Sequence, residues 1–335
     1  MKGSRVWTTM KSYLSQAWRR STAGKPNPLQ AFPYTISEHP STSIPSSLRE
    51  HSNAIAQEWR QRNANRGSLP MPDGFWVAPT IDPYEAWLEV NRWNARREKV
   101  HRTTIDKLKR KPLLSVIMPV FNPPIPYLDE AVESVRRQAY SDWELCIVDD
   151  ASNEPSVRDA IRRWTRMDSR IRASFSDYNE HISVATNKAV AMASGEYLAF
   201  LDQDDVLAPD ALGEVAAYAN AFPDVDIIYS DDDKLDSAGR RFGPQFKPDW
   251  SPELLLSYMY FGHLFVVRTS LFRACGGMRR GFEGSQDYDL ALRFAEKARH
   301  IGHIPRILYH WRVHPGSTAS GGGAKPYSFE AGRKA

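Results

Sequence analysis

Between Leu113 and Asp231 unbroken apolar runs alternate with stretches of helical periodicity, and that alternation leaves few folds open. "LLSVIMPV" (113–120), "WELCIVDD" (143–150), "EYLAFLD" (196–202) and "VDIIYSD" (225–231) read as buried strands, with "RIRASF" a weaker one. Amphipathic segments 125–138, 154–167, 183–194 and 208–221 fall between them. Strands that are apolar on both faces cannot meet water on either, so the sequence predicts a largely parallel α/β sheet covered by helices on both sides. After Asp231 the rhythm breaks into a polar excursion. A short helix at 252–258, a strand "GHLFVVR", a helix from about Ser285 and a strand-like "IPRILYHWRVH" follow.

Outside this core the texture differs. Residues 1–20 set Val6, Trp7, Met10, Tyr13, Leu14, Ala17 and Trp18 at helical spacing among Lys and Arg. That suits a basic amphipathic helix on an anionic membrane surface, or equally one docked on protein. The predicted organisation is this helix with a Pro/Ser/Thr-rich linker (1–48), an Arg/Trp-rich helical extension (49–111), a first half of the α/β core (112–231), a second half (232–318), and a flexible tail (319–335). The tail opens like a helix that stops abruptly, so a continuation past Ala335 is expected. No apolar run nears the roughly 18 residues that span a bilayer, and no signal-peptide core is visible. Cys146 and Cys275 form no disulfide framework. These features point to a cytoplasmic protein, either soluble or peripheral at the inner face of the membrane.

Charge is distributed unevenly. Residues 202–236 hold eleven Asp/Glu against one Lys, Lys234. Such a surface repels nucleic acid, so no nucleic-acid partner is expected. In open α/β sheets ligands bind beyond the carboxyl ends of the strands. "PVFN" (119–122), Asp149–Asp150 and Asp202-Gln203-Asp204 all fall on that rim. Crowded carboxylates repel unless a cation intervenes, and a hard ion such as Mg²⁺ or Mn²⁺ shared with a diphosphate offsets the repulsion. Asp287 follows Ser285 at a helix start, where the helix dipole favours an ionised carboxylate able to act as a general base.

Taken in order, "LSVIMPVFN", "WELCIVDDASNEP", "SGEYLAFLDQDD", "YSDDDKLDSAGRR", "FKPDWSPELLLS", "GSQDYDLALR" and "WRVHPGS" resemble family 2 glycosyltransferases of the GT-A fold, the bacterial surface-polysaccharide or O-antigen type, over about 113–318. The resemblance implies a Rossmann-like, mixed, mostly parallel sheet. It also implies an inverting, metal-dependent transfer of a hexose or deoxyhexose from a nucleotide-diphosphosugar to a growing glycan, lipid-linked or free. By that resemblance Pro119, Val120, Phe121, Asp149, Asp150, Asp202 and Gln203 bind the donor. Asp202, Asp204 and His314 hold Mg²⁺ or Mn²⁺, with His310 the runner-up histidine. Asp287 is the base, and Gly262, His263, Gln286 and Trp311 face the acceptor. The family's "NxGxxxARN" reads "NEHISVATN" (179–187) here, without the arginine that serves the diphosphate. Asp231, Asp232 and Asp233 read as an acidic turn or a second metal site; His263, His303 and His310 read otherwise as packing groups. Two rival functions stay open: a phosphohydrolase using Asp202 as nucleophile, and a non-catalytic nucleotide-sugar binder serving as an assembly platform.

Overall fold

The protein is seen here as a computed structural model that describes residues 83–314 and 326–335. Expectations for the amphipathic helix, the linker, most of the Arg/Trp-rich extension and residues 315–325 lie outside the described residues. Of the described residues, those from Trp87 onward belong to one compact unit and 83–86 to another. The extension closes with helices α1 (Pro83–Val90) and α2 (Ala95–Asp106), the latter capped by Asn94, whose side chain accepts from the amides of Arg96 and Arg97. Trp93 packs against the core and edge-on to His101, as a structural tryptophan should.

The core alternates as the pattern required: β1 (Leu114–Val120), α3 (Ile125–Arg136), β2 (Trp143–Asp149), α4 (Pro155–Met167), β3 (Ile171–Phe175), α5 (His181–Met192), β4 (Tyr197–Phe200), the short β5 (Val206–Leu207) and α6 (Ala211–Ala221). Then come β6 (Ile227–Leu235), β7 (Arg241–Gln245), α7 (Pro252–Leu255), β8 (Phe265–Arg268), α8 (Thr269–Ala274), α9 (Gln286–Ala295), β9 (Ile301–Arg312) and α10 (Pro326–Lys334). One nine-stranded sheet runs in the order β3-β2-β1-β4-β8-β6-β9-β5, with β7 added to β6. The β3-β2-β1-β4 half is parallel, whereas β8 runs antiparallel to both of its neighbours.

Alternation along each strand sorts side chains into two cores. Val116, Met118 and Leu145 join the helices of one face, while Ile117, Cys146 and Val148 join those of the other. All seven residues of β2 are buried, and each large apolar side chain so removed from water contributes about 1.5–3 kcal/mol. Cys146 is a structural thiol in this packing, its pKa raised to about 11 by burial and by the nearby Glu144.

Two sequence expectations change here. The acidic run Asp231–Asp233 is not a turn; it continues β6, and each carboxylate is buried against a cation or histidine. Asp231 accepts from Lys247 N at 2.8 Å and meets His303 at 2.9 Å, Asp232 pairs with Lys247, and Asp233 pairs with Arg241 and His310. Apolar periodicity cannot reveal such a strand, because its buried positions carry paired charges. The boundary at 231/232 therefore falls inside β6 rather than between halves, and within the tail residues 326–334 are helical.

Candidate active site

Elements converge on one rim because of the sheet's topology. Strands β1, β2 and β4 end there, and the order reverses between β1 and β4, the switch point where a crevice opens. Strand β8 runs the other way, so its amino end, with Gly262 and His263 just before it, reaches the same rim. Strand β9 ends in Trp311 and Arg312, with His314 two residues beyond it, and α9 presents Asp287 in its first turn. Among the described residues, the three non-glycine residues with positive φ lie near these loops: Asn122 (φ 49°) after β1, Ala151 (φ 62°) after β2 and His181 (φ 68°) opening α5. Such conformations cost energy and persist only where neighbours enforce them. Asn122 illustrates this: its N–H donates to Ser152 Oγ at 2.9 Å, and its side chain accepts from Asn153 N at 2.8 Å.

The acidic group divides into two clusters. Asp204 Oδ2 lies 2.7 Å from His314 Nε2, which joins two of the expected metal residues. Asp202 Oδ2 lies 3.9 Å from His263 Nε2, and Asp202, Asp205 and His263 each bring a donor atom within 4.8 Å of the others. Asp205 and His263 were not among the expected metal residues. Asp205 is 1% exposed and accepts from Tyr309 Oη at 2.6 Å and Arg312 N at 2.7 Å. Burial first, then the charges of Asp202 and Asp204, hold its carboxyl well above the usual carboxylate range. The sequence signal for it was the third aspartate of "DQDD".

His263 was expected to face the acceptor or merely to pack. It stacks on Tyr309, with centroids 4.5 Å apart and planes 14° apart, and meets Trp311 edge-on. Burial lowers its pKa, while Asp232 and Asp287 pull the other way. Arg312, absent from the sequence expectations, is buried beneath the site. It donates to the Asp204 carbonyl at 2.7 Å, pairs with Glu130 and lies over the Tyr127 ring at 4.4 Å.

Several expected donor contacts are otherwise engaged. Asp149 is fully buried, accepting from Arg158 Nε at 2.8 Å and Ser152 N at 3.2 Å, so it braces the β2 loop from within. Asp150 receives the Glu180 amide at 3.0 Å. Gln203 bridges two rim loops: Phe121 N donates to its Oε1 at 2.7 Å, and its Nε2 donates to Phe121 O at 3.1 Å. Val120 O accepts from Asp150 N, and Pro119 is part of β1. Gln286 Oε1 accepts from Gly284 N and so ties its own loop. His310, the runner-up histidine, is buried on Asp233 at 2.5 Å. Where "NEHISVATN" lacks the arginine, Glu180 of that segment pairs with Lys188 and Arg280.

Asp287 is half-buried at the α9 start, its Oδ1 accepting from Tyr288 N at 2.9 Å. The expected effect of the helix start is present but outweighed. Burial pushes this carboxyl up, as does the charge of Asp202, and together they outweigh His263 and the backbone amides.

The donor chemistry suits a hard cation: carboxylate oxygens with an imidazole are ligands for Mg²⁺ or Mn²⁺. Among the described residues no helix is long and apolar enough to cross a membrane.

Comparison with known proteins agrees with this architecture. The profile described as "Glycosyl transferase family 2" matches residues 115–279. An uncharacterized protein of Sinorhizobium fredii, y4gI, is 45% identical over 84% of this chain and 31% of its own length. The O-antigen biosynthesis protein RfbC of Myxococcus xanthus is 40% identical over 77% of this chain and 20% of its own. The chain thus spans less than a third of either relative. In fold it is similar to S. aureus TarS 1–349 solved with UDP-GlcNAc (TM-score 0.54, 21% identity, 65% of this chain and 64% of that one). With the Asp202 motif following the fourth strand of a sheet whose rim gathers these carboxylates, the chain belongs to glycosyltransferase family 2 and has the GT-A fold.

Proposed function

We propose that the site transfers a sugar from a nucleotide-diphosphosugar to a hydroxyl of a cell-surface glycan, with inversion at the anomeric carbon. The observation that carries this reading is Asp287, a half-buried carboxylate with raised pKa, sharing the rim with Asp202 and His263. Similarity to an O-antigen biosynthesis protein supports a polysaccharide acceptor, and the likeness to a fold solved with UDP-GlcNAc supports the donor class.

In this mechanism the acceptor oxygen attacks the anomeric carbon from the face opposite the diphosphate. Its proton passes to an Asp287 carboxylate oxygen, and the bond from the anomeric carbon to the phosphate oxygen breaks with its electron pair leaving on the diphosphate. Because burial raises the pKa of Asp287, its carboxylate is a stronger base than an exposed aspartate. One base and no placed nucleophile correspond to a single displacement, hence inversion. Asp202, Asp204 and His314 would hold Mg²⁺ or Mn²⁺, which supplies charge neutralisation for the leaving diphosphate. Asp150 and the β1 loop would border the donor base, and Trp311 with the Gly262–His263 turn would border the acceptor. A lipid-linked acceptor at the inner membrane face fits the basic pattern of residues 1–20.

The test pairs binding with turnover. Thermal shifts against a panel of nucleotide-sugars, with and without Mn²⁺, identify the donor. Asp287→Asn should keep the donor-induced shift and lose about 10²–10⁴ in kcat. Wild-type turnover by Asp287→Asn would remove the proposed base.

A further inference from the structure

Beneath the rim lies a buried cation that the chemistry above does not use. The Lys247 side chain is 3% exposed, and its Nζ is surrounded by four oxygens: Ser230 O at 2.6 Å, Phe261 O at 2.7 Å, His263 O at 2.5 Å and Asp232 Oδ2 at 2.6 Å. An ammonium has three protons, so these acceptors use its full donor capacity. A buried charge is tolerated only when paired and hydrogen-bonded, and Asp232 supplies the pairing. Burial lowers the Lys247 pKa and raises that of Asp232, and each opposes the shift of the other.

What this cation holds is the turn that carries His263. Two of its four acceptors are the carbonyls of Phe261 and His263, on either side of Gly262. Gly262 itself has φ +48°, and a Cβ there would come within 3.4 Å of Asp232 Oδ2 and 3.6 Å of Lys247 Nζ. The turn is therefore shaped around the ion pair. Its outward product is the His263 imidazole, clamped on Tyr309, with Nε2 turned to Asp202.

We propose that Lys247 is a positioning residue of the catalytic rim: through the carbonyls of Phe261 and His263 it fixes the His263 imidazole beside Asp202 and Asp205, where it serves as a further nitrogen donor, besides His314, to the divalent cation that Asp202 helps to hold. This rests on the glycosyltransfer reading for its consequence in turnover, but not for cation binding, which is measurable alone. Losing the partner that orients a metal ligand typically weakens affinity by about 10–100-fold.

Lys247→Met alone strands Asp232, so the informative change is the neutral pair Lys247→Met/Asp232→Asn. It is compared with His263→Ala and with the triple variant. Mn²⁺ binding without donor is read by electron paramagnetic resonance, folding by circular dichroism and turnover separately. The expected result is a folded paired variant that binds Mn²⁺ about tenfold or more weakly, a similar loss in His263→Ala, and a triple variant no worse than His263→Ala. Additive losses would show that Lys247 does not act through His263, and unchanged Mn²⁺ affinity in His263→Ala would remove the histidine from the site. Either result overturns the proposal while leaving the Asp287 test intact. Should the paired variant not fold, Gly262→Ala perturbs the same turn with both charges present, and wild-type Mn²⁺ binding by it would equally overturn the proposal.

Discussion

Replacing Asp205 separates the two things its carboxylate does. Asp205→Ala removes the acceptor for Tyr309 Oη and for Arg312 N, both in a buried setting. A buried donor left without a partner costs about 1–3 kcal/mol, so two cost about 2–6 kcal/mol. Against this stands relief from Asp202, whose oxygen lies within 4.8 Å. Two charges at that separation repel by about 3.5 kcal/mol at an effective dielectric of 20. The Asp202 side chain is 44% exposed, however, so solvent screening reduces this to about 1–2 kcal/mol. The alanine variant should be less stable by about 2.5 kcal/mol, the difference between the midpoints of the two effects. Asp205→Asn keeps an oxygen for Arg312 N and lets the Tyr309 hydroxyl turn to accept, while removing the charge. Without divalent cation at pH 7 it should match or exceed the wild type in urea unfolding. Adding Mn²⁺ should then raise the melting temperature of the wild type more than that of the asparagine variant. An alanine variant as stable as the wild type, or an asparagine variant as damaged as alanine, would refute this division between hydrogen bonding and charge.

Two further outcomes are expected. Burial alone would raise the Asp226 carboxyl, but Arg299 and Arg268 outweigh it and hold it below the usual carboxylate range. Its stabilisation is therefore complete above about pH 4 and lost as pH falls through the lowered folded value; Asp226→Asn should lose about 3 kcal/mol at pH 7 and show a smaller drop below pH 4 in pH-dependent urea melts. Gly195→Ala places a Cβ 2.5 Å from Ser115 Oγ and 2.7 Å from both Leu113 O and Ser115 N; backbone atoms cannot give way there, so differential scanning fluorimetry should show a loss of at least about 1–3 kcal/mol.

The strand–helix register from 113 to 221 was legible because burial on both faces demands apolar residues at every strand position, and helices declare themselves by period. The rim was legible for a related reason: Asp202, Asp204 and Asp287 stand directly after or at the start of predicted elements, so chain order places them. Strand β6 was misread beyond Asp231 because its inward positions hold carboxylates matched to Lys247, Arg241, His303 and His310, partners 8 to 77 residues away in sequence. The helix-end effect on Asp287 was legible but not its outcome, since a helix end is a local property, whereas burial and the field of Asp202, which outweigh it, depend on the whole cleft.

By itself, then, the sequence determined the α/β alternation, the rim on which acidic groups gather and the family to which the chain belongs, since those follow from patterns repeated within a few residues. Only the tertiary structure decided which carboxylates face the cleft and which are held beneath it: Asp149 turned inward to Arg158, Asp205 held under the site by Tyr309 and Arg312, His263 brought to Asp202 by a turn shaped around Lys247. The physical reason is that pairing a buried charge is a long-range requirement, satisfied by whichever partner the completed fold brings within hydrogen-bonding distance.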